Sequence, residues 1–76
     1  MRKIPSDELG IIVIEADRAI WQDEGKPYAA ISLQFLHEAG FDVNALSVGE
    51  SIIFHGLALR YVGLDWDRQA FIMERV

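Results

Sequence analysis

The two histidines are the residues of this chain best suited to bind a metal ion or to transfer a proton. His37 is followed directly by Glu38, and His55 lies in the C-terminal half. A metal site needs three or more converging ligands, and these residues lack the spacing of a recognised motif such as H-E-x-x-H. His55 is explained by a turn, because it precedes Gly56 between two apolar runs. We therefore expect neither a metal site nor a cofactor.

The carboxylates and serines form no recognisable catalytic arrangement. Twelve acids in 76 residues produce pairs by chance, and Asp65 and Asp67 flank a Trp in a segment where Asp commonly makes the local hydrogen bonds of a turn. No serine stands in a familiar nucleophile context, and the six glycines are scattered rather than grouped in a phosphate-binding loop. A chain of this length also has little room for a substrate pocket. We predict that the protein is not an enzyme.

The charge is unevenly distributed along the chain. The net charge is −5, and residues 5–50 hold nine acids against Arg18 and Lys26, whereas residues 51–76 balance three acids with three arginines. Affinity for nucleic acid comes from Lys and Arg that neutralise phosphates, so direct binding to nucleic acid is not expected. The chain has no Cys, which fits the cytoplasm, and the apolar run Ile11 to Ile14 is far too short to span a membrane.

The C-terminal segment 47–76 carries the clearest structural pattern, three strands joined by two turns. His55-Gly56 fits a two-residue hairpin turn, which needs positive φ at both positions. This turn places Phe54 opposite Leu57 and Ile52 opposite Leu59, with the core-facing set Ile52, Phe54, Leu57, Leu59 and Tyr61. The second turn, at 65–68, has an ambiguous length. We favour Phe71 and Met73 as inward-facing, and a shift of one residue would select Ile72 instead.

The N-terminal half is expected to form two helices. Ser6 suits a helix cap, and Leu9, Ile12, Val13, Ala16, Ala19 and Ile20 recur at helical spacing. The alternative for residues 10–21 is a strand, because Ile11 to Ile14 are all β-branched. A second helix is predicted from Pro27, with Gly40 as its stop. The chain is thus predicted to be one α+β domain, residues 1–76, with two N-terminal helices packed on a three-stranded antiparallel β-meander (ααβββ).

Several large apolar residues have no core position in this arrangement. On a helical wheel Ile11, Ile14 and Trp21 lie away from the core stripe, and Trp66 lies at the tip of the second turn. They either fold back onto the sheet or form an interaction surface. The acids nearby either provide solubility or steer a basic partner. The predicted partner-binding residues are Ile11, Ile14, Glu15, Asp17, Trp21, Asp23, Glu24 and Trp66.

The sequence therefore predicts a small acidic protein of the cytoplasm that acts by binding another protein. In its most concrete form it is an inhibitor, of the kind that phages and mobile elements use against host defences or toxins, that covers a basic, nucleic-acid-binding surface of its partner. A self-associating subunit that forms a homodimer is the alternative, and a small hydrolase-like enzyme is the third hypothesis.

Overall fold

The computed structural model describes residues 4–76, which form a mostly β structure with one short α-helix. In chain order the elements are a 3-10 helix at Ser6–Glu8, β1 (Leu9–Gly10), β2 (Ile12–Glu15), β3 (Arg18–Trp21), β4 (Tyr28–Ser32), α1 (Leu33–Glu38), β5 (Ser51–Phe54), β6 (Leu57–Asp65) and β7 (Ala70–Arg75).

Five of these strands form one sheet, in the order β1-β4-β7-β6-β5, and β2 and β3 form a separate antiparallel hairpin. Strand β1 runs parallel to β4, and the other neighbours in the sheet are antiparallel. The predicted ααβββ fold is therefore wrong, because the segment expected to form the first helix and the start of the second is extended.

The first predicted helix is replaced by strands β1 to β3. The strand alternative for residues 10–21 is correct, since the β-branched run favours an extended backbone. The chain reverses at Ala16 and Asp17, whose φ angles of 51° and 63° are those of a two-residue primed turn. Ala is an unusual residue for that conformation, so the sequence carries no standard signal for this hairpin.

The second predicted helix begins later than expected, at Leu33 rather than near Pro27. Residues Tyr28–Ser32 instead form β4, between β1 and β7 in the sheet. The Ser32 hydroxyl caps α1 by accepting a hydrogen bond of 3.0 Å from the Phe35 amide. The helix stops before Gly40, whose φ of 93° is the left-handed conformation expected of a C-terminal glycine.

The C-terminal meander is confirmed. His55 and Gly56 have φ angles of 47° and 84°, and Phe54 faces Leu57 across the turn as predicted. A β-bulge at Val62 shifts the register of β6 on β7, so that Tyr61 pairs with Met73 and Leu64 with Phe71. Phe71 and Met73 belong to the main core cluster, as predicted, while Ile72 is buried on the opposite face.

The two faces of the large sheet differ in what covers them. The inner face, which includes Phe54, Leu59 and Tyr61, packs against α1 and one side of the β2–β3 hairpin. The outer face carries Ile53, Ala58 and Ile72. In the segment before β1, Ile4 is buried, the Ser6 hydroxyl accepts a hydrogen bond from Arg68, and the Asp7 carbonyl accepts one from Lys26 Nζ.

Candidate partner-binding surface

The β2–β3 hairpin has one face directed into the protein and one directed away from it. The pairs Ile12–Trp21 and Ile14–Ala19 belong to the inward face and pack on the core cluster. The alternate pairs Val13–Ile20 and Glu15–Arg18 therefore lie on the outward face, because successive side chains of a strand point to opposite sides.

The outward face carries a row of apolar side chains that we call the hairpin patch, made of Ile11, Val13 and Ile20. Ile11 is 61% exposed, Ile20 is 42% exposed, and Val13 is half-buried. Val13 and Ile20 are directly opposite each other, at a distance where cross-strand side chains touch. The outward face of a surface hairpin is normally polar, so this apolar row is the feature of the hairpin that folding does not explain.

The buried Trp21 side chain, a cation–π contact and one backbone hydrogen bond hold the hairpin on the body of the protein, and a local hydrogen bond orients the Trp21 indole. Trp21 is only 5% exposed, and its indole Nε1 donates a hydrogen bond of 2.8 Å to the Asp23 carbonyl. The Arg75 guanidinium lies 5.0 Å from the centre of the Trp21 ring, a favourable cation–π distance. The Ala19 amide donates to the His55 carbonyl at 2.9 Å and joins β3 to the β5–β6 turn. The patch is thus presented on an anchored element.

Exposed carboxylates lie at both ends of the hairpin. Glu15 and Asp17 are at its turn, where Glu15 faces Arg18, and Asp23 and Glu24 follow β3. The Asp23 carboxylate accepts a hydrogen bond of 3.2 Å from the Gly25 amide, and Glu24 lies 3.9 Å from Arg75. Both contacts are exposed to water, where such interactions are weak, and the four carboxylates outnumber the nearby Arg18 and Arg75. The hairpin patch is therefore rimmed by net negative charge.

The structure separates the predicted partner-binding residues into three groups. Ile11 is exposed, as predicted, and the four predicted acids are exposed along the hairpin. Ile14 and Trp21 take the other alternative and do not form an exposed surface, because Trp21 belongs to the core cluster and Ile14, partly buried, packs against it from the inward face. Trp66 is 73% exposed, but the nine-residue strand β6, roughly 30 Å long, separates its turn from the β5–β6 turn beside the hairpin.

The helical interpretation of the sequence misses Val13 and Ile20, because it places both in the core stripe of a helix. The alternation of side chains in a strand would have found them, since Ile11 and Val13 share a face from which Ile12 and Ile14 are excluded. The alternation can be assigned to two paired strands only when the turn at Ala16 is known, because the turn sets which residues of β2 and β3 are opposite each other.

The turn that carries Trp66 is held by a buried carboxylate. Asp65 accepts hydrogen bonds from the amides of Asp67 and Arg68, at 3.0 and 3.3 Å, and forms an ion pair with the Arg68 guanidinium. Burial by itself raises the pKa of Asp65, but the hydrogen bonds and positive charge of Arg68, with the amide of Asp67, outweigh it and hold the pKa below its usual value. These contacts account for Asp65 as a structural residue of the turn.

The histidines do not assemble a reactive centre. His37 lines an open groove of about 340 Å³ beside Phe41 and Asn44, and the His55 ring packs edge-on against Phe54, with 4.7 Å between ring centres. In residues 4–76 no three His, Asp or Glu side chains converge in a way that could hold a metal ion. A second groove, of about 510 Å³, is lined by Lys26, Glu74 and Arg75 together with Glu24, Gly25 and Pro27.

Comparison with protein families, curated proteins and solved structures finds no match to this chain. Across the part of the chain that the structure describes, no helix has the length and apolar character needed to cross a bilayer.

Proposed function

We propose that this protein is a non-enzymatic binding module that docks on a partner protein through the outward face of the β2–β3 hairpin. The observation that supports this proposal is the hairpin patch itself, an anchored apolar row bordered by exposed acids. Protein interfaces commonly combine an apolar centre with a polar rim, and a charged rim selects partners of opposite charge. The partner then presents an apolar depression surrounded by Lys and Arg.

A basic surface of this kind is common on proteins that bind nucleic acid, because such proteins neutralise phosphates with Lys and Arg. In the more specific form of the proposal, the module covers the nucleic-acid-binding surface of its partner and acts as an inhibitor. It acts in the cytoplasm, for which the cysteine-free composition is the support.

The test compares three forms of the tagged protein as baits for partner capture. Ile20→Lys places a positive charge in the centre of the hairpin patch, while Val48→Lys makes the same change at an apolar residue that is 71% exposed in a loop. We expect a partner that the wild type and Val48→Lys both retain and that Ile20→Lys loses. A partner that all three forms retain equally would contradict docking through the hairpin.

The captured partner then serves to test the role of charge. We expect its affinity to fall as salt increases, and to fall further when Glu15→Lys and Asp17→Lys are combined, since both changes reverse the charge of the rim. In the inhibitor form, the wild-type protein also displaces nucleic acid from the partner, whereas Ile20→Lys does not. Affinity that is insensitive to salt would show that the acidic rim does not steer binding.

A further inference from the structure

Strand β5 forms an edge of the five-stranded sheet, and the backbone of this edge is open. All four residues of β5 lie opposite residues of β6, and the two-residue turn makes Phe54–Leu57 and Ile52–Leu59 the hydrogen-bonded pairs. The ladder continues with the Tyr61 amide, which donates to the Glu50 carbonyl at 2.8 Å. In an antiparallel ladder the alternate residues direct their amide and carbonyl groups away, here Ser51 and Ile53. No backbone hydrogen bond joins these two residues to another part of the chain within residues 4–76.

This edge lacks the features that usually prevent strands from pairing between molecules. Such edges are typically protected by Lys, Pro, a bulge or an inward-pointing charge, and residues 51–54 contain none of these. Ile53 is 64% exposed beside Ala58 on the outer face. The opposite edge of the sheet is protected by length, because β1 has only two residues.

We propose that β5 pairs antiparallel with β5 of a second copy of this chain, about a two-fold axis at Ile52. In this register Ser51 of each copy faces Ile53 of the other, so that the open groups form two hydrogen-bonded pairs. Ile52 of one copy then lies opposite Ile52 of the other, in a closely spaced pair that has no backbone hydrogen bonds. The two side chains make an apolar contact on the inner face of the sheet.

The distribution of charge supports a second copy as the occupant. Two molecules with a net charge of −5 repel each other over most of their surface, yet residues 51–59 hold no Asp, Glu, Lys or Arg. In the proposed register Glu50 faces Phe54 of the other copy, so no like charges are directly opposed. Gly49 of one copy faces His55 of the other, whose carbonyl already accepts a hydrogen bond from the Ala19 amide. Gly49 has no side chain that could collide with the hairpin at this position. The dimer and the hairpin patch are therefore compatible.

The interface is short, and we expect the association to be weak. Pairing of one four-residue strand with its copy buries less than about 1,200 Å², the range of transient complexes. Sedimentation equilibrium should show a monomer at low micromolar concentration and a growing dimer fraction towards millimolar concentration. A monomer at every concentration would overturn the proposal.

Hydrogen exchange followed by NMR locates the interface in the unmodified protein. The amides of Ser51 and Ile53 should exchange rapidly in dilute solution and at least tenfold more slowly in concentrated solution. The amides of Ile52 and Phe54, already bonded to β6, should show no such dependence on concentration. Fast exchange of Ser51 and Ile53 in a sample that sedimentation shows to be dimeric would place the interface elsewhere and refute the proposal.

Ile53→Pro provides the matched variant. Proline removes the outward amide and blocks strand addition, and no hydrogen bond to β6 is lost because residue 53 directs its amide away from β6. This variant should remain monomeric but still capture the hairpin partner, whereas Ile20→Lys should dimerise normally. Dimerisation of Ile53→Pro would refute pairing through β5, and loss of the dimer in Ile20→Lys would assign it to the hairpin instead.

Discussion

Replacing Trp21 by Ala should unfold a large part of the protein, because this side chain anchors the hairpin that carries the candidate site. A buried Trp removes about 200 Å² from water, which at about 25 cal/mol per Å² corresponds to about 5 kcal/mol. Measured Trp→Ala changes in cores cost about 3–5 kcal/mol. A domain of this size has a total stability of about 3–5 kcal/mol, so the loss is comparable to the whole stability.

Trp66 offers a matched control within the same chain, since it is largely exposed at the tip of a turn. Trp66→Ala should change the free energy of unfolding by less than about 0.5 kcal/mol. Trp21→Phe should lie between the two at about 1–2 kcal/mol, because it keeps an aromatic ring under Arg75 but loses the hydrogen bond to the Asp23 carbonyl.

Urea unfolding followed by circular dichroism measures these differences, and fluorescence provides a second measurement that does not require an unfolding transition. In the Trp66→Ala variant the remaining Trp21 should be shielded from acrylamide, whereas in Trp21→Phe the remaining Trp66 should be quenched almost as readily as a free indole. Equal destabilisation by Trp21→Ala and Trp66→Ala, with equal quenching, would show that the hairpin does not pack on the sheet through Trp21.

Two further predictions concern the turns of the sheet. Gly56→Ala should lower the free energy of unfolding by about 1–2 kcal/mol, because φ is 84° there, although an added Cβ meets no atom within 4 Å. The control Gly25→Ala, where φ is not left-handed, should be within about 1 kcal/mol of wild type. Equal melting temperatures of the two variants would contradict the strain argument. The pKa of Asp65 is lowered in the folded state, so its contribution to stability is present above the unfolded pKa of about 4 and is lost as pH falls through the lower folded pKa. Asp65→Asn should therefore be less stable than wild type at pH 7, with a difference that shrinks in urea titrations towards pH 2, and a difference that is constant with pH would contradict this linkage.

The meander could be predicted because its signals are local. His55-Gly56 defines the turn, and the turn then fixes each pair of β5 and β6 by counting. The inward positions of Phe71 and Met73 follow from alternation once the last strand is placed. The central position of β7 could not be predicted in the same way, because it depends on pairing with β4, which comes from a distant part of the chain.

The N-terminal half was mispredicted because two periodicities fit the same residues. Ile12, Ala19 and Ile20 fall on one side of a helical wheel, yet in the hairpin Ile12 and Ala19 point inward and Ile20 points outward. The decisive feature is the turn at Ala16, which adopts a left-handed conformation without Gly or Asn. Tyr28–Ser32 has a similar ambiguity, and its strand conformation is decided by partners on both sides, β1 and β7.

The same alternation would allow the hairpin to combine anchoring with the proposed recognition of a partner. Trp21 and Ala19 contribute to stability from the inward face, and the intervening Ile20 projects outward, so neighbouring residues in one strand have different physical tasks. Because Ile20 is 42% exposed, its replacement forfeits only part of the free energy of burying an Ile side chain, about 1.5–3 kcal/mol when burial is complete. A partner that covers the Ile20 side chain would gain the rest of this burial free energy as binding energy. If the proposed binding occurs, a substitution in the hairpin patch should alter it and still retain the fold, because the fold depends on the opposite face of the same two strands.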